Sequence, residues 1–219
     1  MIARGEVRVN GQKVRELGTI VHDGDAVDVG GRTVRPPDTF TYVVMHKPAG
    51  VVTTMRDPQG RRTIAQLLPK GQPRVVPVGR LDYDTSGVLL LTDDGDLANR
   101  LLHPRFGVDK TYRATIGGRL SAGSVRRINE GVALDDVRAA GAKVRVVSVR
   151  RDQSVVDVTI HEGRNRQIRR MLEALGHPVL ELQRLRFGPV RLGELAPGRM
   201  RSLTDRERHA LEKHRADGG

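Results

Sequence analysis

Residues 75–104, VVPVGRLDYDTSGVLLLTDDGDLANRLLHP, constrain the fold more than any other stretch of this chain. The two apolar runs RVVPV and GVLLLT have the length and the Val/Leu content of buried strands, and DLANRLL, stopped by Pro104, has the spacing of a short helix. Between the strands lies a polar connection holding Arg80, Asp82, Asp84, Thr85 and Ser86. A carboxylate is thereby placed at a strand end beside a sheet. An Asp between strands most often caps backbone N–H groups in a turn. Asp84-Thr85-Ser86-Gly87 suits that turn role, with Gly87 taking a dihedral that other residues avoid. That leaves Asp82 as the freer acid.

Strands and helices alternate around this segment. EVRVNGQKV reads as a hairpin about Asn10-Gly11, and DAVDV leads into Gly30-Gly31. Residues 1–35 are too few to bury a core alone, and Pro36-Pro37 marks the expected boundary of the main domain. Beyond it, TYVVMHK reads as a strand, TIAQLL as a short helix, and KTYRATI as a further strand. SAGSVRRINEG is a helix started by Ser121 and stopped by Gly131. KVRVVSV and SVVDVTIH form an antiparallel pair about Arg151-Asp152, a helix covers 166–175, VLELQRLRFG is the last long strand, and the C-terminal ADGG frays. The adjacent hairpin-like pairs predict an α+β fold with a mixed sheet rather than a doubly wound parallel one.

The 219 residues carry 38 Lys and Arg against 26 Asp and Glu, a formal charge of +12, which attracts polyanions whatever the fold. Thirty-two of these cations are Arg, a bias that genome base composition alone can produce, so their placement says more. Residues 164–201 hold nine Arg and three Glu, an excess of +6, whereas residues 1–35 carry only +1. Nucleic acid is the first candidate partner, with affinity depending on the C-terminal half. Only six aromatic residues are present, too few to read single strands by successive stacking, so the partner is held by its phosphates and shape. The absence of Cys excludes disulfides, thiol catalysis, iron–sulfur clusters and cysteine zinc sites. The seven His are scattered, with no HExxH, so no metal is expected. No apolar run approaches a membrane span, and MIARGEVRVNG has charges where a signal peptide needs an apolar run. The expected location is the cytoplasm, away from membranes.

Four ordered blocks carry a resemblance: HKPAGVVTT (46–54), GRLDYDTSGVLLLTDDG (79–95), KTYRATI (110–116) and EGRNRQIRRMLEALGHPVLELQRLRFGPVRLGEL (162–195). Together they resemble the motifs of the bacterial ribosomal RNA pseudouridine synthases of the RsuA/RluB group. GRNRQIRRM and the tail QRLRFGPVRLGELAPGRMRSLT are most similar to the RluB-like branch. His46 stands where that group commonly has Asn. The resemblance implies the pseudouridine synthase fold, a largely antiparallel central sheet with flanking helices. It implies isomerisation of one or a few uridines in ribosomal RNA, more specifically large-subunit (23S) RNA, by a monomer needing no metal or organic cofactor. It also implies that residues 1–37 are the second half of an alpha-L RNA-binding module whose first half is absent from this sequence, so that residues 1–35 contribute little to RNA binding. Residues 38–205 are then the catalytic domain and 206–219 a C-terminal helix and frayed tail.

The same resemblance implies roles for single residues. Asp82 breaks the N1–C1′ glycosidic bond, by attack on C1′ or by removing a ribose proton to form a glycal. Tyr112 packs on the target base and is the candidate for handling the C5 proton. Ile168 packs beside the base, and Arg169 pairs with Asp82 to keep it ionised and oriented. Arg80 fills the hole left by the flipped uridine, and Lys47 supports the site loop rather than reacting. On a helical wheel Ile168, Met171, Leu172 and Leu175 form one apolar face, with Arg169 at its border and Arg166 and Arg170 pointing away. For Arg164, Arg166 and Arg170, a solvated basic face and phosphate binding are evenly balanced. Two rivals stand beside this reading. One is a non-catalytic RNA-binding or ribosome-assembly protein on the same fold. The other is a glycoside hydrolase-like enzyme, which needs a saccharide cleft and a second acid near Asp82, a part Asp84 could take only if it turned out of its turn.

Overall fold

The computed structural model describes residues 1–22, 24–35, 39–69, 71, 74–134 and 137–216. The chain divides into two compact units, Met1–Phe40 and Thr41–Gly219; Pro36-Pro37, the expected boundary, lies outside the described residues. In the first unit β1 (Val7–Val9), β2 (Gln12–Val14), β3 (Val27–Val29) and β4 (Arg32–Val34) pair antiparallel in the order β2-β1-β3-β4. Asn10 and Gly11 take φ of 50° and 79°, the positive values a two-residue hairpin turn requires. The Asn10 side chain then ties the two hairpins together, donating to Asp25 at 2.8 Å and accepting from the Ala26 N–H at 2.9 Å. No described residue from 1 to 35 is buried, so this unit has no core of its own.

The second unit is built on one mixed sheet. Its strands are β5 (Tyr42–Lys47), β6 (Val76–Pro77), β7 (Thr85–Thr92), β8 (Lys110–Gly117), β9 (Lys143–Val149), β10 (Gln153–Ile160), β11 (Val179–Phe187), β12 (Val190–Arg191) and β13 (Met200–Ser202). The main path runs β13-β5-β7-β11-β8-β10-β9, with β6 on β7 and β12 on β11. Among the described residues every pairing in it is antiparallel except β7 with β11. Helices α1 (Gly95–Leu102), α2 (Ala122–Glu130), α3 (Gln167–Glu173) and α4 (Asp205–Ala216) cover its faces. Leu89 and Leu91 pack on one side with Ile128 of α2 and Met171 and Leu172 of α3. Val88 and Leu90 pack on the other with Leu97 and Leu101 of α1 and Leu211 of α4. The unbroken apolar run of β7 is thus explained by burial on both faces.

Local chemistry sets the ends of these elements. Ser121 accepts from the Ser124 N–H as the N-cap of α2, and Gly131 closes that helix at φ 94°. Thr204 and Glu207 cap α4 reciprocally, Thr204 N–H donating to Glu207 at 2.9 Å and Glu207 N–H to Thr204 Oγ1 at 3.2 Å. Three expectations change. RVVPV yields only the two-residue β6, with Val76 44% exposed. Helix α3 begins at Gln167, because Arg166 takes the left-handed φ of 47° in the loop before it. Thr85, Ser86 and Gly87 are not a turn: their backbone pairs in parallel with Leu182, Gln183 and Arg184 of β11. Gly87 does take an unusual dihedral, φ 116°, and a Cβ there would stand 2.2 Å from the Arg184 carbonyl oxygen. Only glycine lets these two strands approach so closely.

Candidate active site

Asp82 sits in the turn that leads into β7, closed by the Thr85 N–H donating to the Asp82 carbonyl at 3.1 Å. The loop after β5 clasps this turn from the side. Thr53 Oγ1 donates to the Leu81 carbonyl at 2.7 Å and accepts from the Leu81 N–H at 3.2 Å, while the Gly50 N–H donates to the Tyr83 carbonyl at 2.8 Å. Lys47 anchors the clasp: fully buried, it donates from Nζ to the carbonyls of Pro48 at 2.9 Å and Val51 at 2.7 Å. Burial pushes the Lys47 ammonium down to about 8, while the nearby charges of Asp82 and Asp84 draw it upward. Its two hydrogen bonds therefore serve the loop's geometry more readily than a reaction.

Cross-strand register assembles the rest. Lys47 lies beside Gly87, Gly87 beside Arg184, Arg184 beside Tyr112 and Tyr112 beside Val158, one row across five strands. Residues aligned in such a row project to the same face. Over this face opens a cavity of about 500 Å³, lined by Arg80, Asp82, Tyr112, Arg164, Arg166 and Ile168 among others. Tyr112 and Ile168 are buried in its walls. Among the described residues the Asp82 carboxylate has no hydrogen-bond or ion-pair partner, which leaves it available to a ligand. Lys47, Arg169 and Arg170 stay outside the lining.

The pairing expected between Arg169 and Asp82 is absent. Arg169 is buried rather than at a border, and its Nη2 reaches Asp84, 3.2 Å from Oδ2 and 3.1 Å from the backbone carbonyl, while Nη1 donates to Val179 at 3.1 Å. Sheet topology explains the exchange. Because β7 runs parallel to β11 with Thr85 beside Leu182, the residue just before β7, Asp84, stands at the sheet end where α3 leads into β11. The exposed Arg166 shares the same carboxylate at 3.4 Å, and Arg164 pairs with Glu162 at 3.0 Å. Arg164 and Arg166, both weighed between solvent and phosphate, therefore already have acidic partners. Asp84, held by two guanidinium groups, is also no free second acid for a glycosidase mechanism.

Two buried cations of the lining, Lys110 and Arg184, were not singled out in the sequence, and Thr85 was read there only as a turn residue. Lys110 carried a signal, since it stands two residues before Tyr112 on a strand whose side chains alternate between buried and half-buried. Arg184 carried none, because nothing in VLELQRLRFG shows that it pairs with Tyr112.

A family model described as RNA pseudouridylate synthase matches residues 41–174, which include Asp82, Tyr112, Ile168 and Arg169. The chain belongs to the RNA pseudouridylate synthases. It is 41% identical to an RNA pseudouridine synthase of Aquifex aeolicus over 97% of this chain and 86% of that protein. It is also 41% identical to ribosomal large subunit pseudouridine synthase B of Bacillus subtilis, over 94% of this chain and 85% of that one. A crystal structure of a pseudouridylate synthase superposes with a TM-score of 0.74 at 30% identity, covering 97% of this chain and 90% of the other. The expected fold class, α+β with a mixed and largely antiparallel sheet, is borne out. As a pseudouridylate synthase the protein is an enzyme that isomerises uridine in RNA, which sets aside both the non-catalytic and the glycosidase readings.

Proposed function

We propose that this synthase modifies one or a few uridines of large-subunit (23S) ribosomal RNA, acting as a cytoplasmic monomer, with residues 38–205 as the catalytic domain and Asp82 as the group that opens the glycosidic bond. The Bacillus subtilis relative's name supports the choice of RNA. One observation carries the choice of residue: Asp82 lines the cavity with Tyr112 and Ile168, and its carboxylate is unpartnered among the described residues. A uridine within folded RNA is stacked or paired, and flipping it out costs roughly a few kcal/mol. Arg80 is exposed at the cavity and makes no hydrogen bond or ion pair among the described residues. It is the side chain placed to fill the gap the base leaves behind.

Inside, the base lies against Tyr112 and Ile168 with its ribose toward Asp82. The carboxylate attacks C1′ or removes a ribose proton, the uracil turns, and C5 bonds to C1′, with Tyr112 handling the C5 proton. Arg169 acts through Asp84, fixing the residue two positions from Asp82 and so the turn itself. Asp82→Asn is nearly isosteric and removes only the reacting charge. Pseudouridine formation by the purified variant should fall by about 10⁴-fold or more, with RNA affinity largely kept. Near-normal conversion would overturn the assignment, and mapping pseudouridines in ribosomal RNA with and without the gene tests the substrate.

A further inference from the structure

The cavity has a second, deeper group of polar atoms that the steps above do not use. Arg184 is 2% exposed; its Nε donates to the Val88 carbonyl at 2.8 Å, and its Nη2 has no partner. The guanidinium carbon lies 5.0 Å from the centroid of the Phe187 ring, and Lys110 Nζ lies 5.8 Å from the same centroid. Lys110 donates to the Val108 carbonyl at 3.1 Å. Neither cation forms an ion pair among the described residues. Thr85 Oγ1, buried in the same lining, is also unpartnered. A buried charged N–H without an acceptor is costly, and an acceptor brought into the cavity by a ligand would relieve that cost. Arg184 lies beyond residues 41–174, the segment matched by the family model.

We propose that Arg184, with Lys110 beside it, binds the carbonyl edge of the flipped uracil and stabilises the negative charge that the base acquires as N1 leaves C1′. This rests on the reading that Asp82 opens that bond. The acceptor is a base carbonyl rather than a phosphate because of depth. Arg184 stands beside Tyr112 on the sheet floor, whereas the phosphates, separated from the base by a ribose, stay near the exposed Arg80, Arg164 and Arg166.

The electron accounting shows when the cations matter. As the C1′–N1 bond breaks, its electron pair leaves with N1 and spreads onto O2 and O4, while Asp82 gives a pair to C1′ or takes a ribose proton. Rejoining places the uracil pair in the new C1′–C5 bond. Asp82 recovers its pair or returns its proton, the C5 proton departs through Tyr112, and N1 regains a proton. Nothing is consumed, and the base carries full negative charge only between the two bonds. Cations fixed at its carbonyls therefore act on the transition state more than on bound uridine.

The test uses single-turnover disappearance of the target nucleoside, read by mass analysis, with the same RNA carrying uridine or 5-fluorouridine. Fluorine stabilises the departing anion by itself, so its substrate depends less on the protein's cations. Arg184→Met should slow uridine conversion by about 10²–10³-fold, slow 5-fluorouridine by at least about tenfold less, and leave RNA affinity within about threefold. Arg184→Lys should recover part of the uridine rate. Equal slowing of both bases, or a loss confined to RNA affinity, would overturn the proposal. Should Arg184→Met not fold, Lys110→Met repeats the comparison with the same expected sign and the same refuting result. Asp82→Asn run alongside separates the two claims: an active Asp82→Asn sinks the assignment of the acid, whereas an inactive one with equal slowing of both bases in Arg184→Met sinks only this inference.

Discussion

Replacing Gly87 by Ala should damage this enzyme far more than one added methyl suggests. The new Cβ would lie 2.2 Å from the Arg184 carbonyl oxygen and 2.4 Å from its amide nitrogen, both backbone atoms that no rotamer change can move. To reach an ordinary contact β7 and β11 must part by about 1 Å. Two costs combine. A φ of 116° is a strained region for a residue with a Cβ, worth about 1–3 kcal/mol. Separating the strands also weakens the parallel ladder at Thr85–Gly87, at about 1 kcal/mol per hydrogen bond. The sum, about 3–5 kcal/mol, is a large share of the roughly 5–15 kcal/mol that holds a domain folded. Gly60→Ala is the control, because Gly60 also has positive φ, 71°, yet nothing lies within 4 Å of its would-be Cβ; it should cost only about 1–2 kcal/mol. Urea unfolding of both variants reads the difference. A Gly87→Ala variant no less stable than Gly60→Ala would show that the strands are not held together as described.

Two further outcomes follow from charge. Folded Lys47 loses its proton near pH 8 against an ordinary 10.5, so between those values the unfolded chain holds more protons and stability rises with pH. The rise should reach about 1–3 kcal/mol after discounting for solvent near the loop and should vanish in Lys47→Met; parallel curves for the two proteins in urea unfolding from pH 8 to 10.5 would refute it. Because Asp84 already faces Arg166, Arg166→Gln should flatten the salt dependence of RNA binding by less than the ~0.7 expected for one full phosphate contact on a single strand. Asp84→Asn, which frees Arg166, should steepen it. A flattening of ~0.7 or more in Arg166→Gln would mean that the pair opens on the RNA.

How much of this was legible in the sequence depended on whether the signal was local. The alternation of KTYRATI and the unbroken VLLLT run report burial on one face or two, and both elements form as their periods imply. Ser121 and Gly131 bound α2 through backbone chemistry contained in a few residues. The partner of Arg169 was not legible, because Asp84 meets it only through the parallel pairing of β7 with β11, segments about 95 residues apart. The turn expected at Asp84–Gly87 failed for the same reason: residues with turn chemistry were taken up by a ladder whose other strand lies far along the chain. The excess of +6 in residues 164–201 was counted correctly yet overstates what RNA can touch. Arg169 and Arg184 are buried, and Arg164, Arg166 and Arg201 face Glu162, Asp84 and Glu207.

The buried cations explain why a site for a neutral base needs so basic a floor. Among the described residues four Lys or Arg side chains are buried: Lys47, Lys110, Arg169 and Arg184. Three of them donate to backbone carbonyls, Lys47 to those of Pro48 and Val51, Lys110 to that of Val108 and Arg184 to that of Val88, and among the four only Arg169 is in an ion pair with a carboxylate among the described residues. A carbonyl accepts a hydrogen bond without cancelling the charge, so the positive potential of Lys110 and Arg184, which line the cavity, persists there, where a carboxylate partner would have erased it. The arrangement costs stability, as the depressed proton affinities of Lys47 and Lys110, both caused first by burial, attest. In return the field is fixed before the substrate arrives and needs no reorganisation when charge appears on the base. Uridine, being neutral, feels little of it on binding; the uracil anion between bond breaking and bond making feels all of it. A protein selected only to hold RNA would gain from cations at the surface, whereas Lys110 and Arg184 are buried in the cavity lining, where only an extruded base can meet them.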